Sequence, residues 1–149
     1  MKLKIKALSP KIGSEIPAPF YASAGAAAMD LCACMDEAVE LAPRALVSIP
    51  TGIAIALPGP EYVALVFARS GLGVKHGISL SNGVGVIDSD YRGEIRVGLT
   101  NLSDAPYTVQ PGDRIAQLAV IPVVQAQLEF CDELDNTARG AGGFGSTGK

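Results

Sequence analysis

The sequence predicts an all-β fold, built mainly from antiparallel strands. Apolar residues alternate with charged or small ones at residues 2–8 and 95–99, as half-buried strands require. Residues 53–57 keep the same period with apolar side chains on both faces, which is typical of a buried strand. Proline and glycine separate these segments so often that few leave room for three helical turns. We therefore expect a β-sandwich or β-barrel.

Two segments are candidates for helix. Residues 26–42 contain no glycine or proline and are rich in alanine, methionine and glutamate, which are good helix formers, so a helix there is an alternative to strands. A short helical turn is also expected near residues 71–75. Because strands are favoured elsewhere, we expect at most one short helix in the fold.

Size, charge and cysteine content limit the possible functions. A chain of 149 residues is the size of one domain. Its 12 basic and 15 acidic residues form no basic stripe, which argues against nucleic acid as a partner. No 18 apolar residues follow one another, which argues against a membrane span. Cys32, Cys34 and Cys131 are an odd set without zinc-ligand spacing, so we expect reduced, buried thiols and a cytoplasmic protein.

The last eleven residues differ in composition from the rest of the chain. Five of residues 139–149 are glycine, so we expect a mobile tail after a β domain at residues 1–138. Its matches to the dinucleotide and P-loop patterns fail because each motif must open a helix, and only four residues follow Gly145 and none follows Lys149 in this sequence. Flexible amides could still form a nest for phosphate oxygens, with Arg139, Ser146 and Thr147 as donors and Phe144 as a flat apolar surface. A disordered tail is the alternative.

Five short motifs occur in the order and approximate spacing of a known family. The third motif and the fifth, which is the glycine-rich tail, are the most specific. The first four read Ala24-Gly25-Ala26-Ala27-Ala28-Met29-Asp30-Leu31, Ala68-Arg69-Ser70-Gly71-Leu72, Gly85-Val86-Ile87-Asp88-Ser89-Asp90-Tyr91-Arg92-Gly93-Glu94 and Gly112-Asp113-Arg114-Ile115-Ala116-Gln117-Leu118. Together the five resemble the homotrimeric dUTPase family. Met29 and Ala68 depart from the aromatic residue and the proline that the family commonly has, and these changes concern local packing only.

The resemblance implies a fold and an activity. The fold would be a jelly-roll-like β-clip barrel. The activity would be hydrolysis of dUTP to dUMP and pyrophosphate with Mg²⁺, which keeps uracil out of DNA and supplies dUMP for thymidylate synthesis. The resemblance also implies a homotrimer with shared active sites, closed by the tail.

Asp88 and Tyr91 are the central candidates of the third motif. Asp88 follows an apolar run, and an aspartate that hydrogen-bonds its own turn is one interpretation. The resemblance instead makes Asp88 the general base that activates the water attacking the α-phosphate. Tyr91 would pack under the deoxyribose, or would be a structural tyrosine closing a hairpin.

The resemblance assigns two further groups of residues. Base and sugar contacts would involve Asn82, Gly85, Tyr91 and Phe144, although a type I′ hairpin turn at Asn82–Gly83 would explain that asparagine by itself. Ser70 could equally be a helix N-cap, and Gln117 could belong to the solvated face of a strand. The phosphate contacts would be Arg69, Ser70, Gly71, Gln117, Arg139, Gly145, Ser146 and Thr147.

The metal needs no dedicated cage of side chains. Magnesium keeps much of its hydration, so substrate phosphates and water would hold it. Asp30 could contact its water shell, or could be a buried, hydrogen-bonded aspartate. His76 is the only histidine and is interpreted as a surface residue, which argues against covalent catalysis.

Two rival functions are considered. A dCTP deaminase shares the fold, but typical deaminases lack the tail motif and tend to have tryptophan at the position of Tyr91. A non-catalytic nucleotide-binding module would be expected to have lost Asp88 or the tail, and both are present.

Overall fold

The computed structural model describes residues 1–143, and this part of the chain contains eleven β-strands and one short α-helix. Every strand pair is antiparallel, as the sequence predicts. The elements are β1 (Lys4–Ala7), β2 (Met29–Cys32), β3 (Val39–Leu41), β4 (Leu46–Pro50), β5 (Ile53–Ala56), β6 (Tyr62–Ala68), α1 (Ser70–His76), β7 (Ile78–Leu80), β8 (Gly85–Ile87), β9 (Arg96–Asn101), β10 (Tyr107–Val109) and β11 (Arg114–Pro122).

The strands form four small sheets. The largest has the order β2-β11-β6-β8, and a three-stranded sheet has the order β4-β9-β7. Two pairs, β1-β5 and β10-β3, complete the arrangement. Because β11 pairs with β2 on one side and with β6 on the other, it connects three of the motif-bearing segments.

The core confirms the alternation seen in the sequence. On β9, Val97 and Leu99 are each 1% exposed while Arg96 points to solvent. Ile53, Ala54 and Ile55 of β5 are all buried, as expected for a strand that is apolar on both faces. Burial of such side chains supplies most of the free energy that holds the sheets together.

The alternative of a helix within residues 26–42 is wrong. This segment forms β2 and β3 instead, and all four residues of β2 are buried. Helix propensities differ by only a few tenths of a kcal/mol per residue, whereas burying an apolar side chain contributes about 1.5–3 kcal/mol. Pairing of β2 with β11 therefore decides the local structure. The expected helical turn near residues 71–75 is confirmed by α1.

The single chain leaves apolar side chains exposed in β1 and in the segment that follows β11. The predicted first strand forms as β1, and Leu3 just before it is partly buried against the core, but the predicted burial of Ile5 and Ala7 is wrong, since all four residues of β1 are exposed. Among the described strands β1 pairs only with β5, and its Ile5 side chain is 42% exposed. After β11, residues 123–138 contain no strand, and Val124 and Phe130 are 90% and 99% exposed. The packed β-structure thus ends at Pro122, before the expected domain boundary at residue 138.

Candidate active site

Asp30 occupies the middle of β2 and is 1% exposed. It stands opposite Gln117 of β11 and bridges to Phe20 on its other side. Burial of a carboxylate is costly unless hydrogen-bond donors replace the lost water. Its surroundings must therefore provide such donors.

Three side chains donate to the Asp30 carboxylate. Nε of Arg69 and Nε2 of Gln117 each lie 3.2 Å from Oδ1, and an Nη of Arg114 lies 3.1 Å from Oδ2. Arg69 also donates to the carbonyl of Arg114 at 3.1 Å. We call these four residues the Asp30 cluster. Gln117 is thus tied to Asp30 and does not lie on a freely solvated face. Both carboxylate oxygens are engaged, which matches the alternative of a buried, hydrogen-bonded aspartate.

Arg114 is a cluster member that the sequence analysis missed. Arg114 and Gln117 are three residues apart, so a regular strand would place them on opposite faces. The β2–β11 register shifts between Arg114 and Ala116, which leaves Ile115 as an extra residue. Such a bulge turns the strand and changes which face a side chain occupies. Both side chains can therefore reach one carboxylate.

The second motif lies where β6 passes into α1. Arg69 is the N-cap residue and α1 begins at Ser70, with no side-chain capping hydrogen bond. The interpretation of Ser70 as the N-cap is therefore wrong. Ser70 and Gly71 are exposed, and a Cβ added to Gly71 would meet no atom within 4 Å. The backbone beside the Asp30 cluster is thus open to a ligand.

Asn82 does not form the expected type I′ hairpin turn. That turn needs positive φ at both central residues, but in the described chain only Gly83 of this pair has one, at 73°. The amide of Gly83 donates to Leu80 instead, and the chain passes from β7 in one sheet to β8 in another. Gly85 opens β8, where an added Cβ would lie 3.1 Å from Cβ of Val66.

Asp88 directly follows β8 and is exposed to solvent. Within residues 1–143 its carboxylate accepts no hydrogen bond, and only its backbone carbonyl does, from the amide of Tyr91 at 3.2 Å. The interpretation of a carboxylate engaged with its own turn is therefore wrong. The Tyr91 hydroxyl donates to the carbonyl of Glu94 at 3.0 Å. Asp88 and Tyr91 line one cavity of about 220 Å³.

Asp88 and the Asp30 cluster lie far apart in one chain. On β6, Ala64 pairs with Ile87, so Asp88 lies level with Val63, six residues before Arg69. At about 3.3 Å per residue this corresponds to roughly 20 Å along the strand. A general base must lie within about 3 Å of the water that it deprotonates. The two groups therefore cannot act on one phosphate within a single chain.

Comparison with known proteins identifies the family. A family model described as dUTPase matches residues 14–148. The chain belongs to the dUTPase family. Relatives named deoxyuridine 5′-triphosphate nucleotidohydrolase include one from Enterobacter sp. (strain 638), 50% identical over 99% of this chain and 97% of its own. One from Citrobacter koseri is 49% identical over the same shares.

Solved dUTPase structures share the fold. That of Staphylococcus bacteriophage 80alpha dUTPase with dUPNHPP aligns with a TM-score of 0.87 and 26% identity, covering 99% of both chains. A dUTPase from phage phi11 of S. aureus, described with a structural Mg(II) ion, aligns with a TM-score of 0.79 and 23% identity, covering 91% of this chain and 100% of its own. The antiparallel architecture is therefore the jelly-roll β-fold of the dUTPases.

The tail motif of the dUTPase family is described only in part. Within it, Nε of Arg139 donates to the carbonyl of Gly142 at 2.8 Å. Arg139 makes no hydrogen bond to the Asp30 cluster in the described residues. The predicted contacts at Phe144, Gly145, Ser146 and Thr147 lie outside the described residues.

The remaining ionisable candidates have structural surroundings. His76 is exposed and its ring centroid lies 4.9 Å from that of Tyr107, which confirms it as a surface residue. Burial, reinforced by the charge of Asp30, raises the pKa of the Cys32 thiol. All three thiols are free; Cys34 is half-buried, but Cys131 is exposed, so its expected burial is wrong.

Residues 1–143 contain no cluster of three or more acidic, histidine or cysteine side chains able to hold a metal ion. No helix in this range is long and apolar enough to cross a membrane.

Proposed function

We propose that this protein hydrolyses dUTP to dUMP and pyrophosphate, keeping uracil out of DNA and supplying dUMP for thymidylate synthesis. The observation that carries the proposal is the exposed Asp88 carboxylate, which has no hydrogen-bonding partner within residues 1–143 and lines a cavity with Tyr91. Relatives about half identical in sequence are named for the same reaction. A free carboxylate is suited to accept a proton from water.

The proposed reaction is an in-line displacement. Asp88 orients a water molecule and takes one of its protons as the oxygen attacks the α-phosphorus. The bond from that phosphorus to the bridging oxygen breaks, and pyrophosphate leaves with the bond's electron pair. Asp88 then returns the proton to solvent. No covalent enzyme intermediate is required, which fits the buried Cys32 thiol and the exposed His76.

Selection of deoxyuridine is proposed to depend on the segment around β8. Groups of Asn82 and the backbone near Gly85 would form hydrogen bonds with the uracil edge. Cytosine would be rejected because its amino group would place a hydrogen-bond donor against a donor of the protein. Tyr91 would pack under the deoxyribose and exclude a 2′-hydroxyl. Phe144 would cover the base from the tail.

The triphosphate is proposed to lie beside the Asp30 cluster. Two arginines and one aspartate give this cluster a net charge of +1, which favours a polyanion. Asp30 fixes the guanidinium of Arg69 and the amide of Gln117 in place. Ser70 and Gly71 add a hydroxyl and exposed backbone, and the tail adds Arg139, Gly145, Ser146 and Thr147.

Magnesium is proposed as the cofactor, held mainly by the substrate phosphates and water. The donor set fits this arrangement, because the Asp30 oxygens already accept from two guanidinium groups that would repel a dication. A contact of Asp30 with the metal's water shell would have to use the remaining lone pair of Oδ2, which accepts only from Arg114 in the described residues. When bound, magnesium would neutralise phosphate charge and orient the leaving pyrophosphate.

The active unit is proposed to be a homotrimer with shared sites. The separation of about 20 Å between Asp88 and Arg69 along β6 supports a site in which two copies supply these groups. The exposed Val124 and Phe130 support packing of residues 123–138 on a neighbouring copy. Residues 139–149 would then close over a site formed by other subunits. Free thiols support a reducing, cytoplasmic location.

The test is a pyrophosphate-release assay with each deoxynucleoside triphosphate, with and without magnesium. We expect release from dUTP, dependent on the metal, with dCTP and dTTP turned over far more slowly. Ammonia release from dCTP, or equal turnover of dTTP and dUTP, would contradict the proposal. Mass measurement in solution tests the trimer.

A further inference from the structure

We propose that Glu94 is a positioning residue that ties the catalytic loop, defined here as residues 88–93, to the turn between β4 and β5. The proposal rests on the proposed function, since it concerns how Asp88 and Tyr91 are held for the reaction. Three sets of contacts carry it.

The first contact closes the loop on the Glu94 backbone. The Tyr91 hydroxyl donates to the Glu94 carbonyl at 3.0 Å. A Cβ added to Gly93 would lie 2.4 Å from that hydroxyl oxygen, so only glycine allows the ring to approach this closely. The orientation of the Glu94 peptide therefore sets the position of the Tyr91 ring.

The second set holds the Glu94 side chain, which is 27% exposed. Oε1 accepts from the Gly52 amide at 2.9 Å, and Oε2 accepts from Arg96 at 3.2 Å. Arg96 is in turn fixed by the hydroxyl and carbonyl of Ser48, at 3.1 and 3.0 Å. The carboxylate thus joins the end of the loop to both β4 and the following turn.

The Gly52 end of this link is rigid. Gly52 has a φ of 69° and is buried, and an added Cβ would lie 2.6 Å from Sγ of Cys34. Its amide can therefore shift little. A rigid donor makes Glu94 an anchor for the loop.

The third observation is that, within residues 1–143, the other side-chain hydrogen bonds of the loop stay inside the loop. Arg92 donates to the carbonyls of Ser89 and Tyr91, at 2.7 and 2.8 Å. The next residue, Ile95, is fixed independently through its backbone to Thr51 and Ile53. Removal of the Glu94 side chain should therefore loosen the loop while leaving the sheet intact.

The test compares Glu94→Ala with Glu94→Gln. We expect Glu94→Ala to lower kcat for dUTP by roughly 10- to 100-fold, since a displacement of about 1 Å can cost that much. Affinity for dUPNHPP should change far less, and the apparent pKa of the pH–rate profile should stay in place because Asp88 itself is unchanged. Glu94→Gln keeps an oxygen for the Gly52 amide and should retain most turnover. Asp104→Ala, which removes an exposed partner of Arg44, is the surface control and should match wild type.

A second variant keeps the proposal testable if Glu94→Ala does not fold. Tyr91→Phe removes only the hydroxyl contact and should also lower kcat, and the double variant should lose no more than the worse single one. Unchanged kcat in folded Glu94→Ala or in Tyr91→Phe would overturn the positioning role, as would strictly additive losses. Wild-type protein that is inactive on dUTP with magnesium would instead defeat the proposed function.

Discussion

The side-chain amide of Gln117 donates to Oδ1 of Asp30 across the β2–β11 pair, at 3.2 Å. The two residues stand in register, and their neighbours Leu31 and Leu118 are each 1% exposed. A polar pair at this depth is stable because two arginines complete the carboxylate's hydrogen bonds. The same pair fixes the donor groups proposed to meet phosphate.

Removal of the Asp30 carboxylate should therefore destabilise the protein. We expect Asp30→Ala to lower the free energy of unfolding by roughly 2–4 kcal/mol, since Arg69, Arg114 and Gln117 all lose the carboxylate to which they donate. The loss stays below that of a fully buried ion pair because both guanidinium groups keep some water. Urea unfolding measures the change, with the exposed Asp104→Ala as a control within about 0.5 kcal/mol of wild type. Equal stability of Asp30→Ala and wild type would contradict the stabilising role of the cluster.

Asp88→Asn should separate catalysis from binding. The amide cannot accept the water's proton, so turnover should fall by roughly 10²- to 10⁴-fold, the usual range for a positioned general base. Binding of dUPNHPP, measured by calorimetry, should be retained. Undiminished turnover would exclude Asp88 as the base.

A chain ending after residue 138 should still fold and assemble. The packed strands end at Pro122, and residues 139–143, the described part of the glycine-rich segment, contain no strand and no member of the hydrophobic core. We expect the trimeric mass and the thermal transition to persist while most dUTP turnover is lost, because the reacting phosphate would stay open to water. Full turnover by the shortened chain would remove the tail from the mechanism.

Cys32 should make stability fall at alkaline pH. Burial raises the pKa of its thiol above the ordinary value of 9.0, so the unfolded chain releases this proton first. Between about pH 9 and the raised pKa of the folded state, the folded chain holds more protons than the unfolded chain. The folded state therefore loses stability as pH rises through this range. Unfolding curves between pH 8 and 10 should show a steeper loss of stability in wild type than in Cys32→Ala. The same pH slope in both proteins would count against this assignment.

Much of the fold could be predicted from short-range pattern. The alternation at residues 95–99 and the apolar run at 53–57 are intrinsic to each segment, and both became strands of the core. The ambiguity at residues 26–42 could not be resolved locally, because the deciding partner, β11, lies more than 80 residues away. Propensity is weak beside such pairing.

The sequence indicated most residues of the proposed site, but it did not indicate how these residues are arranged in space. The motifs indicated Asp30, Arg69 and Gln117, but no pattern in the sequence indicates the bulge that brings Arg114 to the same carboxylate. The turn at Asn82–Gly83 was assigned from composition, which cannot show that the flanking strands belong to different sheets. Register and sheet exchange depend on the whole fold.

The separation of Asp88 and Arg69, measured along the direction of β6, also affects how mutant alleles of this protein would combine. Suppose that each site takes its general base, Asp88, from one copy and its phosphate-binding residue, Arg69, from another. A substitution at either position then disables one site for each mutant chain. Chains damaged at different positions could then complement each other in mixed assemblies, since some sites would combine two intact contributions. Heterozygous expression of two such alleles would leave a fraction of normal activity that neither allele has alone.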